Sequence, residues 1–180
     1  MTTDTVQIHG DTFKLLLSEN EVLTYVYTAQ KQILDYFFNN LSSVEFIVLM
    51  NGGNWLAEHL FANIGQPVHV QRILVQSYNG ETRGELSFKT LPTNIAGKEV
   101  VVIDDIIDSG TTMKKVLAYL TEQGKASQAQ ACVLLKRETN QDFKTINTPY
   151  IVEKNLWLAG CGMDNHNDGR ELAAVYYKCD

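Results

Sequence analysis

Apolar residues fall at two distinct spacings along the chain. In the first, Val22, Val26, Ala29 and Ile33 recur at i, i+4, i+7 and i+11, with Phe37 following. That spacing predicts a long amphipathic helix running to about Asn39. Ser18 and Glu21 stand at capping-box positions before it. A second helix face is formed by Trp55, Leu56, His59 and Leu60, and a third by Met113, Val116, Leu117 and Leu120, closed by Gly124. Short apolar runs precede or follow these helices: Glu45–Met50, Val68–Gln76, Val100–Ile103 and Ala129–Leu135. Unbroken β-branched runs suit strands buried on both faces, as in a parallel sheet. Weaker strand patterns lie at Thr12–Leu17 (an edge strand), Leu86–Leu91, Tyr150–Val152, Asn155–Ala159 and Ala173–Tyr177. The alternation of strand and helix predicts an α/β fold, with a mostly parallel sheet flanked by helices.

The most informative junction is Val100–Met113, VVVIDDIIDSGTTM. The strand run ends at Asp104-Asp105, Ile106-Ile107 follows, and Asp108-Ser109-Gly110-Thr111-Thr112 leads into the third helix. The first amides of a helix lack internal partners and carry the positive end of its dipole, so a loop of Gly and small hydroxyl residues lets a phosphate approach them. Three carboxylates beside a phosphate would repel it, unless sugar hydroxyls or hydrated Mg²⁺ separate the charges. The loop therefore asks for a phosphorylated sugar with magnesium. A second strand–glycine–helix junction, Asn51-Gly52-Gly53-Asn54, again offers free amides. Two other readings of the acidic loop stand beside this one. One is a diphosphate-binding helix of the terpenoid-synthase kind, which the Val run and Gly110 oppose. The other is a purely structural β–α turn.

Composition narrows the class. The chain has 180 residues, 44% hydrophobic and 20% charged, with a net charge of −6. These values fit one globular domain spanning 1–180 and leave no electrostatic footprint for nucleic acid. Cys132, Cys161 and Cys179 are odd in number and widely spaced, which fits a reducing cytoplasm better than a disulfide framework. No stretch predicts a membrane span or a secretion signal.

The Asp104–Thr112 stretch resembles the 5-phosphoribosyl 1-diphosphate (PRPP) signature of type I phosphoribosyltransferases. Together with later features, the chain is most similar to hypoxanthine-guanine phosphoribosyltransferases. The resemblance covers about Glu45 to Arg170. It implies a small hood over the sheet, formed mainly by about 150–172. It also implies that Asp104, Asp105, Ser109, Gly110, Thr111 and Thr112 bind the ribose phosphate, with Asp108 as catalytic base. Asn51, Gly52, Gly53 and Arg170 would bind pyrophosphate. The family usually has a basic residue where Asn51 stands, with a cis peptide just before it. Lys136 would read the purine 6-oxo group, Trp157 would stack on the base beside Leu158, and Asp164 would lie near the base. Mg²⁺ would be held by Asp104, Asp105 and Asp164, and Ser77-Tyr78 would open a mobile loop. The implied partners are PRPP, a purine base, pyrophosphate and a nucleoside monophosphate, within a homodimer or homotetramer. Read without the resemblance, Lys136 is a solvated strand end, Trp157 a core residue, His59 a packed or surface residue, and Ser77-Tyr78 a hairpin turn. A phosphoribosyltransferase for xanthine or a pyrimidine, and a non-catalytic nucleotide sensor, remain alternatives.

Overall fold

The computed structural model describes residues 4–77, 86–137, 144–153 and 155–179. In chain order the elements are β1 (Thr5–Ile8), β2 (Asp11–Leu17), α1 (Glu19–Tyr36), β3 (Val44–Met50), α2 (Gly53–Phe61), β4 (His69–Ser77) and β5 (Leu86–Phe88). They continue with β6 (Glu99–Ile107), α3 (Thr111–Glu122), β7 (Gln128–Arg137), β8 (Tyr150–Val152), β9 (Leu158–Ala159) and β10 (Val175–Lys178). The main sheet has the order β5-β4-β3-β6-β7-β8. Its pairs are parallel except β4 with β5.

Strand alternation sorts the core into two layers. Val101 and Ile103 of β6 join Phe46 and Val48 of β3 beneath α1 and α2. Val100 and Val102 join Ile47 and Leu49 beneath Met113, Val116, Leu117 and Leu120 of α3. Helix α1 starts with the expected capping box, since Ser18 Oγ accepts from the Glu21 amide and Glu21 Oε2 accepts from the Ser18 amide at 2.8 Å. It stops at Tyr36, short of Asn39, because Phe38 and Asn39 take positive φ values of 51° and 57°.

Several strands differ from the sequence expectation. Strand β2, expected at an edge, is flanked by β1 on one side and β10 on the other in a second sheet of order β1-β2-β10-β9. Thr5–Ile8, for which the sequence pattern predicts no strand, supplies β1. Tyr150–Val152 was expected in the hood, but it pairs in parallel with Leu135–Arg137 at the margin of the main sheet. The Asn155–Ala159 strand shortens to Leu158–Ala159 and Leu86–Leu91 to Leu86–Phe88. The small sheet thus draws on both ends of the chain around Ile8, Phe13, Ala159, Ala174 and Tyr176.

Candidate active site

Strand β6 does not end at Ile103. Asp104, Ile106 and Ile107 continue the ladder against Val133, Leu135 and Lys136 of β7, which carries both carboxylates onto the strand end. Asp104 Oδ1 accepts from the Asp105 amide at 3.0 Å, and Asp105 Oδ1 accepts from the Ile106 amide at 2.7 Å. Burial pushes both carboxyls up from the usual range. Asp104 rises furthest, because the Asp105 charge adds to its desolvation. Gly110 turns the chain at φ 78°, the left-handed region open to glycine, and caps α3 without a side chain. Ser109 Oγ accepts from the Thr111 amide at 3.3 Å.

The second loop packs directly on this strand end. The Met50–Asn51 peptide is cis, as the resemblance implies. A Cβ on Gly53 would come within 2.5 Å of the Ile103 carbonyl, and one on Gly52 would collide with the Asp105 carboxylate. On the far side, a Cβ on Gly162 would strike the Gly52 carbonyl. The Asn51–Gly53 loop, Asp105 and the Gly160–Gly162 turn therefore fit together only because glycines line the contact. His59 stacks on Trp55 within α2, with ring centroids 3.7 Å apart, and its Nδ1 lies 2.7 Å from the Trp55 carbonyl, a packing role.

Two cavities open at the C-terminal ends of the parallel strands. The larger, about 310 Å³, is lined by Asp105, Ile106, Asp108, Arg137, Trp157, Leu158, Met163 and Asp164. The smaller, about 150 Å³, is lined by Asp104, Ile106, Ile107, Asp108, Ser109, Gly110, Thr112 and Met113. Ile106 and Asp108 belong to both. Trp157 is 58% exposed, so its apolar face is a cavity wall and not core. Asp164 forms an ion pair with Arg170 and accepts from the Asn167 amide at 2.7 Å, while Arg170 Nη1 donates to the Gly162 carbonyl at 2.8 Å.

Lys136 precedes Arg137 on β7, in register with Ile107 and Ile151, and does not line the larger cavity. Thr111 is absent from the lining of the smaller one. Ser77 ends β4, and Tyr78 lies outside the described residues. Arg137 and Met163 were not singled out from the sequence. Arg137 carried a usable signal, since neighbouring strand residues face opposite ways and only one of Lys136 and Arg137 can face a given cavity.

The phosphoribosyl transferase domain model matches residues 20–166. A hypoxanthine-guanine phosphoribosyltransferase of Aquifex aeolicus is 30% identical over 179 residues, covering 94% of this chain and 97% of that one. A hypoxanthine-guanine-xanthine phosphoribosyltransferase of Tritrichomonas foetus is 29% identical over 146 residues, 79% of each chain. Among solved structures, a hypoxanthine-guanine phosphoribosyltransferase of Bacillus anthracis superposes with a TM-score of 0.80 at 23% identity, covering 92% of this chain and 96% of that one.

Proposed function

The chain belongs to the phosphoribosyl transferase family, and from that premise we propose that it is a purine-salvage enzyme. It transfers 5-phosphoribosyl from PRPP to hypoxanthine or guanine, giving IMP or GMP and pyrophosphate. The observation that carries this reading is the meeting of the two cavities at Asp108 and Ile106. The smaller is rimmed by a helix N-terminus with hydroxyls, suited to a phosphate. The larger offers Trp157, Leu158 and Met163 to a flat heterocycle. A sugar–base bond forms where such cavities join.

In this reading the Ser109–Thr112 amides and hydroxyls hold the 5′-phosphate, and Asp104 and Asp105 accept from the ribose hydroxyls. The Asn51–Gly53 amides and Arg170 face the diphosphate. Trp157 stacks on the base beside Leu158 and Asp164 lies at its edge, while Lys136, which stands outside the larger cavity's lining, would have to turn its long side chain around the strand end to donate to the 6-oxo oxygen. Asp108 takes the proton from the purine ring nitrogen and stabilises the positive charge developing on the ribose. Ser77 and Tyr78 begin the loop that excludes water. Mg²⁺ would be held by Asp104 and Asp105, with Asp164 serving a second ion, and supplies charge neutralisation on the leaving diphosphate. The donor set fits, because magnesium binds through one or two carboxylates together with substrate phosphates and water. No group of three or more metal-ligating side chains converges among the described residues, so the metal would arrive with its diphosphate.

A homodimer or homotetramer in the cytoplasm completes the proposal, as does the absence of a nucleic-acid or membrane partner. The free thiols of Cys132, Cys161 and Cys179 support the cytoplasm, and the net charge of −6 weighs against nucleic acid. One observation favours a second reading, a nucleotide sensor: Asn51 is neutral where the family usually carries a basic residue. Incubation with Mg²⁺, PRPP and each of hypoxanthine, guanine, xanthine and adenine, followed by chromatography, tests both. IMP and GMP are the expected products. PRPP binding without any nucleotide formed would leave the sensor.

A further inference from the structure

We propose that Arg137 is the positioning residue of this site, locking Asp108 and the segment that carries Trp157 into one unit. The inference rests on the functional reading above and adds a residue to which that reading gives no role. Asp108 sits on a loop, and its side chain is 73% exposed, so solvent alone would leave its carboxylate free to rotate. Arg137 is the opposite case, with a side chain only 12% exposed at the end of β7. Its Nη1 donates to the Glu153 carbonyl and its Nη2 to the Leu156 carbonyl, both at 2.6 Å. These bonds hold the guanidinium from the stretch leading into Trp157. The remaining edge of the fork, Nε, faces Asp108 Oδ1 at 2.5 Å.

The chemistry of that last contact points to a purpose. The buried Nε has no hydrogen-bond partner, so the Asp108 charge beside it is what compensates it. A guanidinium whose two outer nitrogens are each anchored to a backbone carbonyl is fixed in its plane, so its Nε edge stays turned to Asp108 and cannot swing away to follow another anion. Asp108 is thereby held at the junction of the two cavities, at a fixed place relative to the ring of Trp157. Lysine cannot reproduce this, because its single ammonium lacks the planar fork that reaches two carbonyls and a carboxylate at once. Arg137 thus acts through Asp108 and through the Trp157 segment.

The test is a double-mutant cycle in steady-state turnover of hypoxanthine with PRPP, using Arg137→Met in native and Asp108→Asn backgrounds. In the native background, kcat should fall about 10²-fold, the loss expected when a reacting group drifts by about 1 Å. KM for the base should rise, and KM for PRPP should stay within about threefold, because the loop that holds the phosphate is untouched. In the Asp108→Asn background, Arg137→Met should cost less than about threefold in kcat. Arg137→Lys keeps the charge and the folded state, and it should still lose at least about tenfold in kcat, with base KM raised. An equal kcat loss in both backgrounds would overturn the inference, as would native kcat in Arg137→Lys or a PRPP KM that rises with the base KM. Turnover by the native protein tests the functional reading separately. If that is absent with every base, the reading fails and this inference with it.

Discussion

Gly52→Ala isolates a single contact. Gly52 caps α2 with φ −59° and ψ −50°, a conformation alanine adopts freely, so the backbone carries no penalty. The added Cβ would lie 2.6 Å from Asp105 Cγ. Asp105 Oδ2 lies closer still, so restoring an ordinary separation of about 3.4 Å requires the carboxylate to retreat by about 1 Å, and it is pinned by the Ile106 amide at 2.7 Å and walled by Gly162. Overpacking of this kind costs about 1–3 kcal/mol. For a chain of this size that lowers Tm by roughly 2–10 °C, leaving a folded protein at room temperature. The functional cost should be larger, about 10²-fold in kcat/KM for PRPP, since Asp105 is displaced from the ribose hydroxyls. Thermal melting and PRPP titration by calorimetry measure the two effects separately. In an Asp105→Ala background the clash disappears, and Gly52→Ala should become neutral to stability or slightly favourable. Native PRPP affinity in the folded Gly52→Ala protein would refute the reasoning. So would an undiminished loss of stability in the Asp105→Ala background.

Three further outcomes are expected. Asn51→Lys should tighten pyrophosphate binding, because it adds a cation to a loop that otherwise offers amides alone; an unchanged or weaker dissociation constant would place the diphosphate elsewhere. Hypoxanthine or guanine should exceed adenine in kcat/KM by at least ~10³, because a three-donor ammonium leaves a 6-amino group unpaired; Lys136→Ala should erase most of that ratio, and comparable use of adenine by the native protein would remove Lys136 from base recognition. Hydrogen bonds from Lys178 and Asn165 hold the Asp11 carboxyl below its ordinary value. Its contribution to stability is therefore present above the unfolded pKa and lost as pH falls through the lower folded value. The Tm gap between native protein and Asp11→Ala should narrow on acidification through that range, and a constant gap would contradict the assignment.

The parts of the fold legible in the sequence were those with local signals. The Ser18–Glu21 capping box, the α3 stripe from Met113 to Leu120 and the run Val100–Ile103 each carry their own periodicity, and each lies where expected. The misplacements share one cause: pairing between residues far apart in the chain. Nothing near Asp11–Leu17 says that Val175–Lys178 lies beside it, and Tyr150–Val152 is too short to state which sheet it joins. At the site, Asp104–Thr112 was readable because its chemistry and its turn coincide in one stretch. Strand alternation could point to Arg137 but not to what it holds, since the carbonyls of Glu153 and Leu156 and the Asp108 carboxylate all lie elsewhere in the sequence.

The small sheet has a consequence for the order of events during synthesis. Synthesis runs from the N-terminus, so β3, β4, β6 and β7 all emerge before β10. The β1–β2 hairpin cannot complete its sheet in that time. Its partner β10 is translated after all the other strands named here, and Asn165 donates to the Ile8 carbonyl across a separation of 157 residues. An isolated two-stranded hairpin is marginal in water. The nascent chain therefore carries β1 and β2 without that partner until β10 has been made, and the turn bearing Asp164 and Arg170 is braced on Ile8 and Asp11 through Asn165, from the far side of the main sheet's sequence.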